Sequence, residues 1–138
     1  MKRFLAAVLL SALLAASLAA PAGAKVLART YGGKQSVYAF AMAGVLAPRH
    51  LRFEVTSRRQ ERMVVHEQLQ CTYSSDDGHW HKTERRIVGK PPIRRRVRIP
   101  GDPLACIFGV RATRHDFAGW MAITLYGQGT VFDRTGRN

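Results

Sequence analysis

Between Tyr38 and Tyr126 apolar side chains return at nearly every second position, and a chain with that period can bury them on one side only by extending into strands. Residues 37–42 set Tyr38, Phe40 and Met42 against smaller neighbours, and Leu51, Phe53 and Val55 alternate with Arg52, Glu54 and Thr56. Met63, Val65, Leu69, Cys71 and Tyr73 share one parity, opposite Val64, His66, Gln68, Gln70 and Thr72. Asp76-Asp77-Gly78 follows, and because Asp-Gly reaches positive φ easily, a hairpin is expected there. The returning segment, 79–88, is heavily charged, as suits an edge strand. Gly89-Lys90-Pro91-Pro92 and Pro100-Gly101-Asp102-Pro103 bracket 93–99 as a short independent strand. Cys106, Phe108, Val110 and Ala112 form one face of the next. Met121, Ile123 and Leu125 form one face of the last, with Trp120 and Tyr126 on the other.

Seven short strands separated by turn signals predict an all-β chain, a single antiparallel β-sandwich with immunoglobulin-like or related Greek-key connectivity. A small barrel is the rival arrangement. The expected boundaries are a leader over 1–24, an N-terminal segment over 25–35, the sandwich over 36–129 and a polar, fraying tail over 130–138. Tyr126-Gly127-Gln128-Gly129-Thr130 resembles the joining segment that ends antibody variable domains, and Cys71, Trp80 and Cys106 occur in immunoglobulin order. The cysteines, however, are only 35 positions apart, and Leu104 stands where a tyrosine corner needs tyrosine. The sandwich expectation therefore rests on alternation and turns.

Residues 1–24 carry the three parts of a secretory signal peptide. Lys2 and Arg3 are the positive start, residues 4–20 hold no charge and predict the signal helix, and Pro21 breaks it. Ala22-Gly23-Ala24 offers the small side chains that cleavage before Lys25 requires. A retained anchor is the competing reading, since the apolar run approaches the shortest length that spans a bilayer. The mature chain, 25–138, suffices for one domain. In an oxidising compartment its two cysteines read as one disulfide, Cys71 with Cys106.

With Lys2 and Arg3 set aside, twenty basic residues face nine acidic ones, a net charge of +11 carried mostly by arginine. Such an excess concentrates anions around the domain, whether nucleic acid, acidic polysaccharide or phospholipid head groups, without choosing among them. A skewed genomic nucleotide composition would produce the same arginine content without selection for binding. The densest cluster is Ile93-Arg94-Arg95-Arg96-Val97-Arg98-Ile99. With Ile93, Val97 and Ile99 facing a core, Arg94, Arg96 and Arg98 form an outward row spaced about 6.6 Å. Lys82, Arg85 and Arg86 on the preceding strand would extend it. The candidate polyanion-binding residues are therefore Arg85, Arg86, Arg94, Arg96 and Arg98. The competing reading gives the same arginines the task of blunting an edge strand. Trp80 is the aromatic near enough in sequence to serve as a stacking platform.

Two charges break the parity: Glu67 among Met63, Val65, Leu69 and Cys71, and Arg95 among Ile93, Val97 and Ile99. A buried unpaired charge is too costly to keep. Each is thus expected at a sheet margin or in a pair, with the other as one candidate partner, unless a β-bulge resets the parity.

Metal and catalytic signatures are thin. His79 and His81 project together from a strand, with His66, His115 and Asp77 as available further ligands, but nothing in the sequence gathers them, so neither metal nor cofactor is assigned. Nucleophile elbow, metalloprotease helix, phosphate loop and dinucleotide fingerprint are all absent. Asp76 with Asp77, and His115 with Asp116, are sequence neighbours, which alternate faces on a strand. The expected role is non-catalytic binding outside the cytoplasm, through the arginines to an anionic polymer or membrane surface. The alternative is a structural or protein-interaction module, such as a secreted inhibitor, using loops 74–79 or 114–119.

Overall fold

The computed structural model describes residues 25–32, 38–75, 78–114 and 119–135. Within them lie seven strands: β1 (Lys25–Gly32), β2 (Tyr38–Ser57), β3 (Met63–Thr72), β4 (His81–Gly89), β5 (Ile93–Arg96), β6 (Ala105–Thr113) and β7 (Met121–Thr135). They form one antiparallel sheet in the order β1-β7-β2-β6-β3-β4, with β5 added to β2. The charged β4 is an edge strand, reached from β3 by the expected hairpin.

β2 organises the rest. Its residues 38–46 pair with β6, its residues 52–55 pair with β5, and both stretches pair with β7. Along a straight strand Phe53 would lie about 33 Å from Ala43. Yet the Phe53 ring is 6.5 Å from that of Phe108, the direct cross-strand partner of Ala43. The sheet has doubled back on itself and covers its own apolar face.

The turn-back is built at Ala47-Pro48-Arg49-His50. Ala47 and His50 have φ of 47° and 52°, in the left-handed region that non-glycine residues seldom occupy. β7 bends alongside at Gly129, φ 127°, where a Cβ would stand 2.6 Å from the Leu46 carbonyl oxygen. Pairing between β2 and β7 shifts register on either side of Arg49, as expected at bulges.

Inside the fold lie Leu27, Leu51, Phe53, Val65, Phe108 and Ile123 with their neighbours, all essentially inaccessible. The alternation over 37–42 resolves against bulk: Ala39 and Ala41 are buried, whereas Tyr38 and Phe40 stand outside. The backbone of Gly32 faces Ala39 on the buried side, where a Cβ would stand 3.5 Å from that of Ala39.

Seven strands were expected, but not these seven. From Tyr38 on, the expected segments 37–42 and 51–56 belong to one strand, since the bend residues lack alternation while β7 pairs with the chain on both sides of the bend and at Arg49. The N-terminal segment contains β1. The expected tail is strand as far as Thr135, with residues 130–135 paired to β2. The anticipated separation into two sheets is replaced by one continuous sheet, because β2 and β7 run through both halves. The leader 1–24 lies outside the described residues, as do Asp76, Asp77, His115, Asp116 and the last three residues. Among the described residues no helix is long and apolar enough to cross a membrane.

Cys71 and Cys106 are direct partners on β3 and β6, joined by the expected disulfide and buried. β4 and β5 both lie within the loop it closes. The joint replacement Cys71→Ala and Cys106→Ala is expected to lower unfolding free energy by about 4 kcal/mol through added denatured-state entropy. Urea unfolding followed by circular dichroism measures the loss.

Candidate anion-binding face

β5 buries Ile93, and Val97 just beyond it, which turns Arg94 and Arg96 outward. Antiparallel register then sets Arg94 opposite Glu54 and Arg96 opposite Arg52 on β2. Glu54 is committed to Arg94, with 3.2 Å from Nε to Oε2 and 3.4 Å from Nη2 to Oε1. Arg52 has no carboxylate partner among the described residues. Its guanidinium lies 4.5 Å from the centre of the Tyr126 ring, on its β7 neighbour, a cation–π arrangement that holds the planar group in place. The buried Nε of Arg52 has no hydrogen-bond acceptor among the described residues. Arg52, Glu54, Arg94, Arg96 and Tyr126 line a shallow cleft of about 190 Å³. Beyond Tyr126, Arg29 on β1 donates from Nε to the Thr124 hydroxyl at 3.3 Å and extends the basic surface.

Of the remaining arginines expected to share this patch, Arg86 faces elsewhere and Arg85 meets β5 only at the Arg96 backbone. Arg98 is exposed past the end of β5, where the Val97 N–H donates to Leu51 O at 2.9 Å and carries the pairing one residue further. Arg85 sits directly opposite Glu67, and its Nη2 lies 2.7 Å from Oε2. The same nitrogen donates to the Arg96 carbonyl at 3.3 Å, tying edge strand β4 to β5. Arg86 has the other parity of β4 and lies beside His66, Val64 and Arg114 on the outer side of the β6-β3-β4 half, away from the cleft.

Glu67 is therefore inward and paired, as parity requires, but its partner is Arg85 and not Arg95. Register makes Arg85 its immediate cross-strand neighbour. Arg95 remains exposed at the β5 margin and donates to the Arg94 carbonyl at 2.8 Å. The aromatic that meets the arginines is Tyr126 rather than Trp80. His81 packs edge-on to Tyr73, 5.9 Å between ring centres, and among the described residues no three His, Cys, Asp or Glu side chains are grouped to hold a metal. Both candidate loops, 74–79 and 114–119, include residues outside the described set.

Arg52, Arg29 and Tyr126 escaped the sequence reading. Alternation around Leu51 and Phe53 marks Arg52 as outward, but only the β2-β5 register brings it to Arg96. Arg114 was also missed as a structural residue: it is buried, with Nη2 donating to the Gly119 carbonyl at 2.5 Å and Nη1 3.5 Å from the Ser57 hydroxyl. Comparison of the chain with protein-family models, curated proteins and solved structures finds no match.

The two glutamate pairs differ in burial and should differ in worth. Glu67→Gln is expected to destabilise by about 1–3 kcal/mol, since it weakens a charged hydrogen bond in a mostly buried site. Glu54→Gln, at the surface, is expected to cost less than about 1 kcal/mol. Denaturant midpoints of the two variants make the comparison.

Proposed function

We propose that the mature chain is an exported, non-catalytic domain that holds an anionic polymer or anionic surface on the outer face of β5, β2 and β7. The observation that supports this reading is the direct juxtaposition of Arg52 and Arg96 with Glu54 already engaged by Arg94. Like charges directly opposite on a ladder are destabilising. A buried Nε without an acceptor adds to that cost. A phosphate, sulfate or carboxylate in the cleft relieves the like-charge opposition, and Arg52, stacked on Tyr126, is already oriented to present its guanidinium.

Export rests on the leader chemistry of residues 1–24, with which the Cys71 to Cys106 disulfide is compatible. In architecture the two halves of the doubled sheet act as the layers of a sandwich, and each outer face is free to present a different chemistry.

Binding to inorganic polyphosphate, heparin and anionic vesicles across a salt series tests the proposal. At least one is expected to bind, with affinity falling steeply as salt rises. Arg96→Ala should weaken that binding severalfold and reduce the log–log salt slope by about 0.7, the contribution of one lost contact. Its stability should stay within about 0.5 kcal/mol of the parent, as for an exposed surface substitution. Arg86→Ala should leave binding unchanged. Equal affinity of Arg96→Ala and the parent for every probe would contradict the proposal and direct attention to a protein partner.

A further inference from the structure

The outer surface of the other half carries a second and larger groove, of about 830 Å³, running across β2, β6, β3 and β4. On one side Tyr38 and Phe40 project from the same face of β2, 58% and 38% exposed, with their strand positions about 6.6 Å apart. The floor is Gly109. A Cβ at that position would lie 3.5 Å from the Phe40 ring, so the missing side chain leaves open the space beside the ring.

Facing the aromatics is a set of planar polar groups placed by register. Phe40 is opposite Arg111 and Arg111 opposite His66, while Gly109 is opposite Gln68 and Gln68 opposite Glu84. The side chains of His66, Gln68 and Arg111 make no hydrogen bond to another described residue. The carboxylate of Glu84 takes the Lys82 ammonium at 2.8 Å. That hydrogen bond and charge hold its carboxyl below the usual carboxylate range, so it is an anionic acceptor at neutral pH.

The chemistry differs from that of the arginine cleft. Two carboxylates, Glu84 and the Arg85-paired Glu67, with one amide, one imidazole and one guanidinium, give no bias toward an anion, on a chain whose charge is otherwise strongly positive. Backbone donors and acceptors of β6 and β3, each flanked by a strand on both sides, are used within the ladder. An extended peptide added to a sheet needs a free strand edge, not a sheet face. A ligand here must be read by side chains, with an apolar surface to lie on the rings and closely spaced groups that both donate and accept hydrogen bonds. A pyranose ring has both: its C–H face packs on aromatic carbon, and its vicinal hydroxyls match amide, carboxylate and guanidinium. The volume falls within the range of pockets that bury a small ligand.

We propose that this groove binds a short stretch of neutral glycan, stacked on Tyr38 and Phe40 and hydrogen-bonded by Gln68, Glu84, His66 and Arg111. The site is independent of the arginine cleft.

Calorimetric titration of the protein with hexasaccharides of β-1,4-linked N-acetylglucosamine, β-1,4-linked glucose, α-1,4-linked glucose and β-1,4-linked xylose tests it, at low and at high salt. At least one hexasaccharide is expected to bind, with an affinity that neither salt nor Arg96→Ala changes. Phe40→Ala and Gln68→Ala should each reduce that affinity at least tenfold while thermal midpoints show both variants folded. Phe40 and Gln68 face outward, so neither change opens the core. Failure of all four hexasaccharides to bind overturns the proposal, as does binding that both variants leave intact. Binding of polyphosphate or heparin alone overturns it too, while leaving the arginine cleft standing.

Discussion

A sheet with one apolar face must cover that face, and the described residues of this chain contain no helix to do so. The solution is to make two strands long enough to serve twice. β2 and β7 each run through both halves of the sheet, and the left-handed residues Ala47 and His50 on one, with Gly129 on the other, turn the halves together. The meeting of Phe53 and Phe108 then becomes possible, and the buried residues gather into one cluster. Backbone geometry that is costly for Ala47 and His50 is compensated by apolar burial along the whole length of both strands. Two further ties hold the doubled sheet: the disulfide between β3 and β6, and Arg85, which reaches from β4 to Glu67 on β3 and to the β5 backbone.

Doubling a single sheet also decides what its outer faces carry. Every glutamate in the chain is already in an ion pair: Glu54 with Arg94, Glu61 with Arg59, Glu67 with Arg85 and Glu84 with Lys82. The surplus of arginine therefore cannot be neutralised by the glutamates, and its effect depends on register. Where β5 meets β2, register sets arginine against arginine. On the opposite half it disperses charge among aromatic and amide groups. Two faces of different chemistry follow from one folding constraint.

Much of this was legible in the residues. Alternation marked the inward faces of β3, β6 and the start of β7, the cysteine pair was unambiguous, and the odd parity of Glu67 announced a buried charge that needed a partner. Three things were hidden, each for a physical reason. β2 read as two strands because bulged bend residues neither alternate nor pair regularly, so Ala47 to His50 looked like a gap. Tyr38 and Phe40 looked like core by size, but parity is symmetric, and it is Ala39 and Ala41 that face the core. The partners of Arg52, Arg96 and Glu67 depend on cross-strand register, which no local pattern encodes; a shift of one residue would move each side chain to the other face.

Whether the Arg52 and Arg96 pair is an anion site is read most directly at the Arg52 guanidinium itself. The arginine side-chain Nε–H resonances of isotopically labelled protein, followed by nuclear magnetic resonance during titration with inorganic polyphosphate, report an anion at each guanidinium separately, Arg52 with its buried Nε included. The expected result is a saturable shift of the Arg52 and Arg96 signals, with those of Arg86 and Arg111 unmoved. Shifts spread evenly over all exposed arginines, with Arg52 unchanged, would show a diffuse ion atmosphere around a basic protein and contradict a built site.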